Sequence, residues 1–182
     1  YAQRFDAAAR AAKARLWAVL CADFLQAWVR PTDAVLDLGA GFCEFINHIA
    51  CARRYALDAD PQVREAAAPG VVARVGAVTD LSWLDDAALD VGLASHLFEP
   101  LPDTATLLAT LGAIHRVLRP GGRLLVLMPN IRFACREYWD FLDHHLPLSD
   151  RSLVEALALT GFTPRQVRPR FLPYTTKSRL PQ

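Results

Sequence analysis

Residues 34–50 read AVLDLGAGFCEFINHIA. A short apolar strand runs into Gly39-Ala40-Gly41, and apolar positions then recur at helical spacing. Strand, glycine turn and helix form the opening unit of a nucleotide-binding α/β sheet. Glycine at such a turn lets the backbone pass close to a ligand, because no Cβ blocks the approach. Two ligand types suit it: a dinucleotide such as NAD, or a nucleoside with an amino-acid end. Counting G-x-G-x-x-G from Gly39 puts Glu44 where the third glycine belongs. A carboxylate in the first helical turn opposes the pyrophosphate that a dinucleotide would place there. Asp37, two residues before the first glycine, suits a cationic amino-acid end instead. Asp58 closes the second strand and can accept both hydroxyl hydrogens of a ribose.

Outward from this stretch the chain alternates. Residues 54–60 (RYALDAD), 71–77 (VVARVGA), 89–95 (LDVGLAS) and 123–129 (RLLVLMP) read as further strands. Helices are predicted over 42–52, over 61–68 behind Pro61, and from Thr104 to Leu118, with RPGG at 119–122 as a turn. This rhythm predicts a Rossmann-like, doubly wound α/β fold: a mostly parallel sheet with helices on both faces and right-handed crossovers. Ahead of it, residues 4–29 carry Leu16, Leu20, Phe24 and Val29 at helical spacing, and Pro31 stops them. A second helix is expected over 149–162, capped by Ser149 or Asp150 and closed by Gly161, with a last strand at 165–171. The domain reading is a single unit over 1–182. It has an N-terminal helix or lid (1–30), a cofactor-binding core (33–129) and a substrate-facing C-terminal part (130–182). Final strands of the sheet are expected to be missing, and the open edge favours a homodimer.

Composition bounds the function. Apolar residues make up 53% and charged residues 21%, which excludes a disordered chain and gives one sizeable core. With 20 Lys and Arg against 19 Asp and Glu, no electrostatic footprint for nucleic acid is present. Cys21, Cys43, Cys51 and Cys135 are scattered without metal-ligand pairing, as expected of small core residues in a reducing cytosol. No apolar run approaches membrane-spanning length, so a cytoplasmic setting is expected.

The segments VLDLGAGFCEF, ALDADP, GAVTDLSWLDDAALDVGLASHLFEPLPD and HRVLRPGGRLLVLMPN, in this order and spacing, resemble the motifs of class I S-adenosylmethionine-dependent methyltransferases of the small-molecule type 11 kind. The resemblance covers residues 33–172 and implies S-adenosylmethionine as cofactor, with S-adenosylhomocysteine as product. It places Asp37, Gly39, Ala40 and Gly41 at the methionine end, Asp58 on the ribose, and Ala59 against the adenine. Asp80 would accept from the adenine amino group, with Leu81 on the ring. Ser95 and His96 would lie beneath the sulfonium. Cys43 stands where many members have a third glycine.

The acceptor side is carried by residues 136–148, REYWDFLDHHLPL, which follow the fifth strand and so begin at the sheet's carboxyl edge. Residues 129–182 also resemble a subgroup of bacterial-type methyltransferases. An oxygen nucleophile gains from a general base, which makes His144, His145 and Tyr138 the catalytic candidates beside His96, Glu99 and Asp140. SHLFEPL at 95–101 resembles a metal motif of RNA 2′-O-methyltransferases, but Pro100 replaces its histidine, so no metal is expected. The sequence thus predicts methyl transfer to a small-molecule acceptor, at oxygen. The alternatives are a catalytically inactive S-adenosylmethionine-binding regulator and, further off, an NAD-dependent oxidoreductase.

Overall fold

The structure, a computed structural model, describes residues 7–171. The expected helical start at Arg4 and the polar tail after Phe171 lie outside the described residues. Helix α1 (Ala7–Asp23) leads through a 3-10 turn (Leu25–Trp28) into β1 (Ala34–Leu38). Then follow α2 (Glu44–His48), β2 (Arg53–Asp58), α3 (Val63–Ala66), β3 (Val71–Val75), β4 (Leu89–Ser95), α4 (Thr104–Val117) and β5 (Leu118–Leu127). The chain closes with α5 (Ile131–Ala134), a 3-10 turn (Glu137–Asp140) and α6 (Asp150–Leu159).

The strands pair in the order β3-β2-β1-β4-β5, every pair parallel. Helices cover both faces, as the alternation of each strand requires. Ala34, Leu36 and Leu38 of β1 enter one core, with Leu107, Leu111 and Ile114 of α4. Val35 enters the other with Trp17, Leu20 and Cys21 of α1 and Phe45 and Ile46 of α2. β1 is buried at every residue because it lies at the sheet's centre between two helical layers.

Several boundaries differ from the sequence reading. α1 stops at Asp23 rather than Val29. There Gln26 turns its side chain to the loop after α2, donating to the Val29 and Ala50 carbonyls and accepting from the Ala50 amide. That lock holds residues 25–28 in a tighter turn, with Leu25 buried. α2 spans five residues, not the eleven of 42–52, because Cys43 enters at φ 59° and Ile49 leaves extended. RPGG is not a turn before β5 but a wide bulge within it. Leu89 pairs with Leu118 and Val91 with Arg123, two steps along β4 against five along β5. Arg119 closes this bulge on Asp90, which also accepts from the Ala34 amide at 2.7 Å.

Ser149 is the cap of α6, in a reciprocal capping box with Ser152. The strand expected at 165–171 does not form. Pro169 removes an amide donor from the middle of that stretch, and Pro164 stands just ahead of it. Instead, Pro169 accepts from Asn130, Arg168 lies over the Phe24 ring, and the Phe171 ring packs 4.4 Å from Phe24. Among the described residues, β5 therefore ends the sheet with no neighbour on its outer side.

Candidate active site

The strand order reverses between β1 and β4, and a doubly wound sheet opens its ligand crevice at that switch point, beyond the strands' carboxyl ends. Here the Gly39–Gly41 turn leaves β1. The Gly39 and Ala40 amides both donate to the Leu57 carbonyl, at 2.8 and 3.1 Å, which folds the turn back on β2. Gly39 stands at φ +68°, and a Cβ there would lie 2.7 Å from Leu97 Cδ1. The turn is thus closed from below by the loop that leaves β4.

Asp58 supports the same turn from β2. Its Oδ2 accepts from the Gly41 amide at 2.7 Å, and its Oδ1 accepts from the Asp60 amide at 2.8 Å. Each oxygen keeps a second lone pair that ribose hydroxyls can use. Ala59 is exposed beside it. Asp37 lies beneath the turn, only 3% exposed. Burial pushes its carboxyl up to about 7, against an amide hydrogen bond from Ile46; Glu44 and Asp58 add to the rise, and Lys13 offsets it. The resemblance implied that Asp37 lines the methionine end; its side chain lies beneath the glycine turn.

Asp80 is exposed, and its Oδ1 accepts from the Ser82 amide at 3.0 Å in a side-chain turn that opens no helix. That hydrogen bonding to Ser82 lowers its pKa. Leu81 departs from its expected role. It is 1% exposed and packed in the α4 core, with Arg116 holding its carbonyl at 2.7 Å. No face of Leu81 remains for an adenine ring, because its loop packs inward against α4.

Ser95 and His96 end β4 as expected, with Ser95 Oγ 3.1 Å from His96 Nδ1. His96 adopts φ 51°, unusual for a residue with a Cβ, and its amide donates to the Leu127 carbonyl. The residue is exposed at the surface, yet protein crowds its ring. Burial, and then the positive charges of Lys13 and His144, push its pKa down to about 4. His96 is therefore neutral at physiological pH.

The acceptor-side candidates separate. Residues 141–149 form a strap over the β4 loop, pinned where the His145 and Leu146 amides donate to the Glu99 carbonyl at 2.8 and 3.0 Å. Tyr138 is fully buried, and its hydroxyl donates to the Leu146 carbonyl at 2.6 Å. It holds the strap and is not placed as an acid or base. His145 is exposed. His144 is the histidine brought towards His96, and its Nδ1 lies 2.9 Å from the Tyr138 carbonyl. A carbonyl only accepts, so Nδ1 carries the hydrogen and Nε2 is the nitrogen that can take a proton.

Glu99 sits under the strap, 1% exposed, with neither carboxylate oxygen hydrogen-bonded. Burial pushes its pKa up to about 7, aided by Asp143 against local backbone amides. Among the described residues, no group of three His, Cys, Asp or Glu side chains is placed to hold a metal ion. No helix of the described chain is long and apolar enough to cross a membrane.

A family model described as a methyltransferase domain matches residues 36–126, half of the chain and the stretch that builds this crevice. The chain belongs to this methyltransferase family. The class I reading of the sequence thus holds for family and fold. No curated protein matches it in sequence. Among solved structures, a SAM-dependent methyltransferase from Archaeoglobus fulgidus superposes with a TM-score of 0.71 at 19% identity. That match covers 82% of this chain and 69% of the other. A SAM-dependent methyltransferase from Thermotoga maritima gives 0.66 at 21% identity, covering 85% and 75%. The methyltransferase CalH, in complex with SAH, gives 0.52 at 19% identity, covering 72% and 45%. At such identities the likeness is one of fold.

Two residues of this methyltransferase's crevice went unassigned in the sequence. Lys13 reaches it from α1, and Leu97 floors the glycine turn. Lys13 had a signal: it shares one helical face with Trp17 and Cys21 at four-residue spacing. Leu97 had none, since its role is a contact across the sheet edge.

Proposed function

We propose that the protein transfers a methyl group from S-adenosylmethionine to a hydroxyl of a small-molecule acceptor. The observation that carries the cofactor reading is the acidic setting of the glycine turn. Asp37, Glu44 and Asp58 surround Gly39–Gly41, and this suits a cationic amino-acid end where a pyrophosphate would be repelled. The family match and the fold of CalH with SAH support the same ligand. When bound, S-adenosylmethionine supplies a methyl group already activated by its sulfonium.

The protein's share is to orient the acceptor, exclude water and take its proton. Asp58, braced by the Gly41 amide, would hold the ribose end, and Asp80 at the rim the adenine amino group. The neutral His96 ring, with Ser95 beside it, would face the reacting centre as a hydrogen-bonding partner. With a pKa of about 4 it is too weak a base for an alcohol. His144 is the better base: the Tyr138 carbonyl fixes its tautomer, and its Nε2 can receive the proton. The strap pinned on Glu99 would shield the acceptor from solvent.

Thermal melting tests the cofactor reading. S-adenosylhomocysteine is expected to raise the midpoint and NAD to leave it unchanged; a shift with NAD alone would overturn it. Transfer of labelled methyl into an extract fraction tests the activity. Binding without transfer to any fraction would favour the inactive, regulatory reading.

A further inference from the structure

Residues 76–88 join β3 to β4 without forming a helix or a strand. Asp80 and Ser82 are exposed on this loop, whereas Leu81 and Leu84 are buried in the core against α4. One residue near the end of α4 holds the loop at several points. Arg116 Nη2 donates to the Leu81 carbonyl at 2.7 Å, and its Nη1 donates to the Leu84 carbonyl at 3.0 Å. Nη1 also donates to Asp86 Oδ1 at 2.6 Å, and the Arg116 carbonyl accepts from the Ala87 amide at 3.0 Å. The two carbonyls belong to a single turn, because the Leu84 amide donates to the Leu81 carbonyl at 3.0 Å. Asp80 is built into the start of that turn, where its Oδ1 accepts from the Ser82 amide. A planar guanidinium with forked donors can hold both carbonyls at once, which a single ammonium cannot do as well.

An exposed carboxylate on an irregular loop must be ordered before it can accept a hydrogen bond from a ligand. If the ordering happens on binding, its entropy is subtracted from the contact; if the fold has done it beforehand, the contact keeps its full strength. Arg116 is the side chain placed to do this, since it fixes the peptide that follows Asp80 to a regular helix. We propose that Arg116 is the positioning residue for recognition of the cofactor's base, holding the turn so that Asp80 meets the 6-amino group. This rests on the S-adenosylmethionine reading above, with Asp80 at the adenine.

The test is titration calorimetry on the whole chain with two probes. One is S-adenosylhomocysteine; the other is its deamino analogue, with hydrogen in place of the 6-amino group. Wild type is expected to prefer S-adenosylhomocysteine by about tenfold, the scale of one charge-assisted hydrogen bond. Arg116→Met is expected to bring that ratio below about threefold, chiefly by weakening S-adenosylhomocysteine. Equal weakening of both probes, with the ratio kept, would show that Arg116 only packs α4 and would overturn the proposal. An unchanged ratio at unchanged affinity would overturn it as well. Should Arg116→Met fail to fold, Arg116→Lys decides, because it keeps the charge without the fork. Its ratio is expected to fall below wild type, and an undiminished tenfold preference refutes the proposal. A wild type that binds both probes equally would remove Asp80 from the adenine, and the proposal with it. Failure of wild type to bind either probe would instead sink the cofactor reading itself.

Discussion

At Gly39, backbone and neighbour act together: the residue stands at φ +68°, and Leu97 occupies the space a Cβ would need. Gly39→Ala is expected to cost about 1–3 kcal/mol, the usual scale of a strained left-handed residue, before the clash is counted. A lowered denaturation midpoint with loss of S-adenosylhomocysteine binding is the expected result; a wild-type midpoint would mean that the turn relaxes freely. Asp58 invites a second substitution. It braces Gly41 and Asp60 while facing the crevice, so Asp58→Ala removes charge-assisted hydrogen bonds. S-adenosylhomocysteine affinity should fall by about 1–3 kcal/mol by calorimetry, and unchanged affinity would remove Asp58 from the site. These residues were legible in the sequence because turn chemistry is local. Leu81 was not. Its place after the third strand pointed to a ligand, whereas the inward packing of its loop on α4, fixed by Arg116, decided otherwise.

The strap over the β4 loop carries the clearest electrostatic consequence at the scale of elements. Glu99 has its pKa raised from an ordinary 4.5 to about 7, chiefly by burial beneath the strap. Between those values the folded protein keeps a proton that the unfolded chain has released. Stability therefore falls as pH rises through this window and levels off above about 7. Asp37 contributes in the same sense, from 3.8 to about 7. Glu99→Gln cannot ionise, so its midpoint should exceed wild type at pH 8 and converge with it near pH 4.5. A variant less stable at both pH values would show that the carboxylate has a partner that stabilises its charged form. Helix boundaries teach a related lesson. Hydrophobic spacing continued past Asp23 and through Ala52, but α1 and α2 end where Gln26 bonds across to Ala50. That contact joins segments 24 residues apart, which no periodicity within either helix encodes.

For the whole molecule, the sheet has two outer strands among the described residues, β3 and β5. β5 carries Leu124, Leu125, Val126 and Leu127 along an outer edge that no described strand pairs with, and no charge or proline interrupts these four residues. We expect two copies to associate there; sedimentation equilibrium should give a species of twice the chain mass, and a monomer at every concentration would refute it. The alternation of strands and helices, the D-x-G-x-G turn and the acids in β1, at the end of β2 and after β3 determined the doubly wound fold and the address of the crevice. Each depends on backbone geometry and side-chain period, which act over a few residues. Tertiary structure alone decided that Asp37 lies buried beneath the turn, that Tyr138 holds the strap, that the charge of His144 reaches His96, and that α1 delivers Lys13 to Glu44. Those arrangements join distant segments through burial and charge, and such energies exist only once the chain has packed.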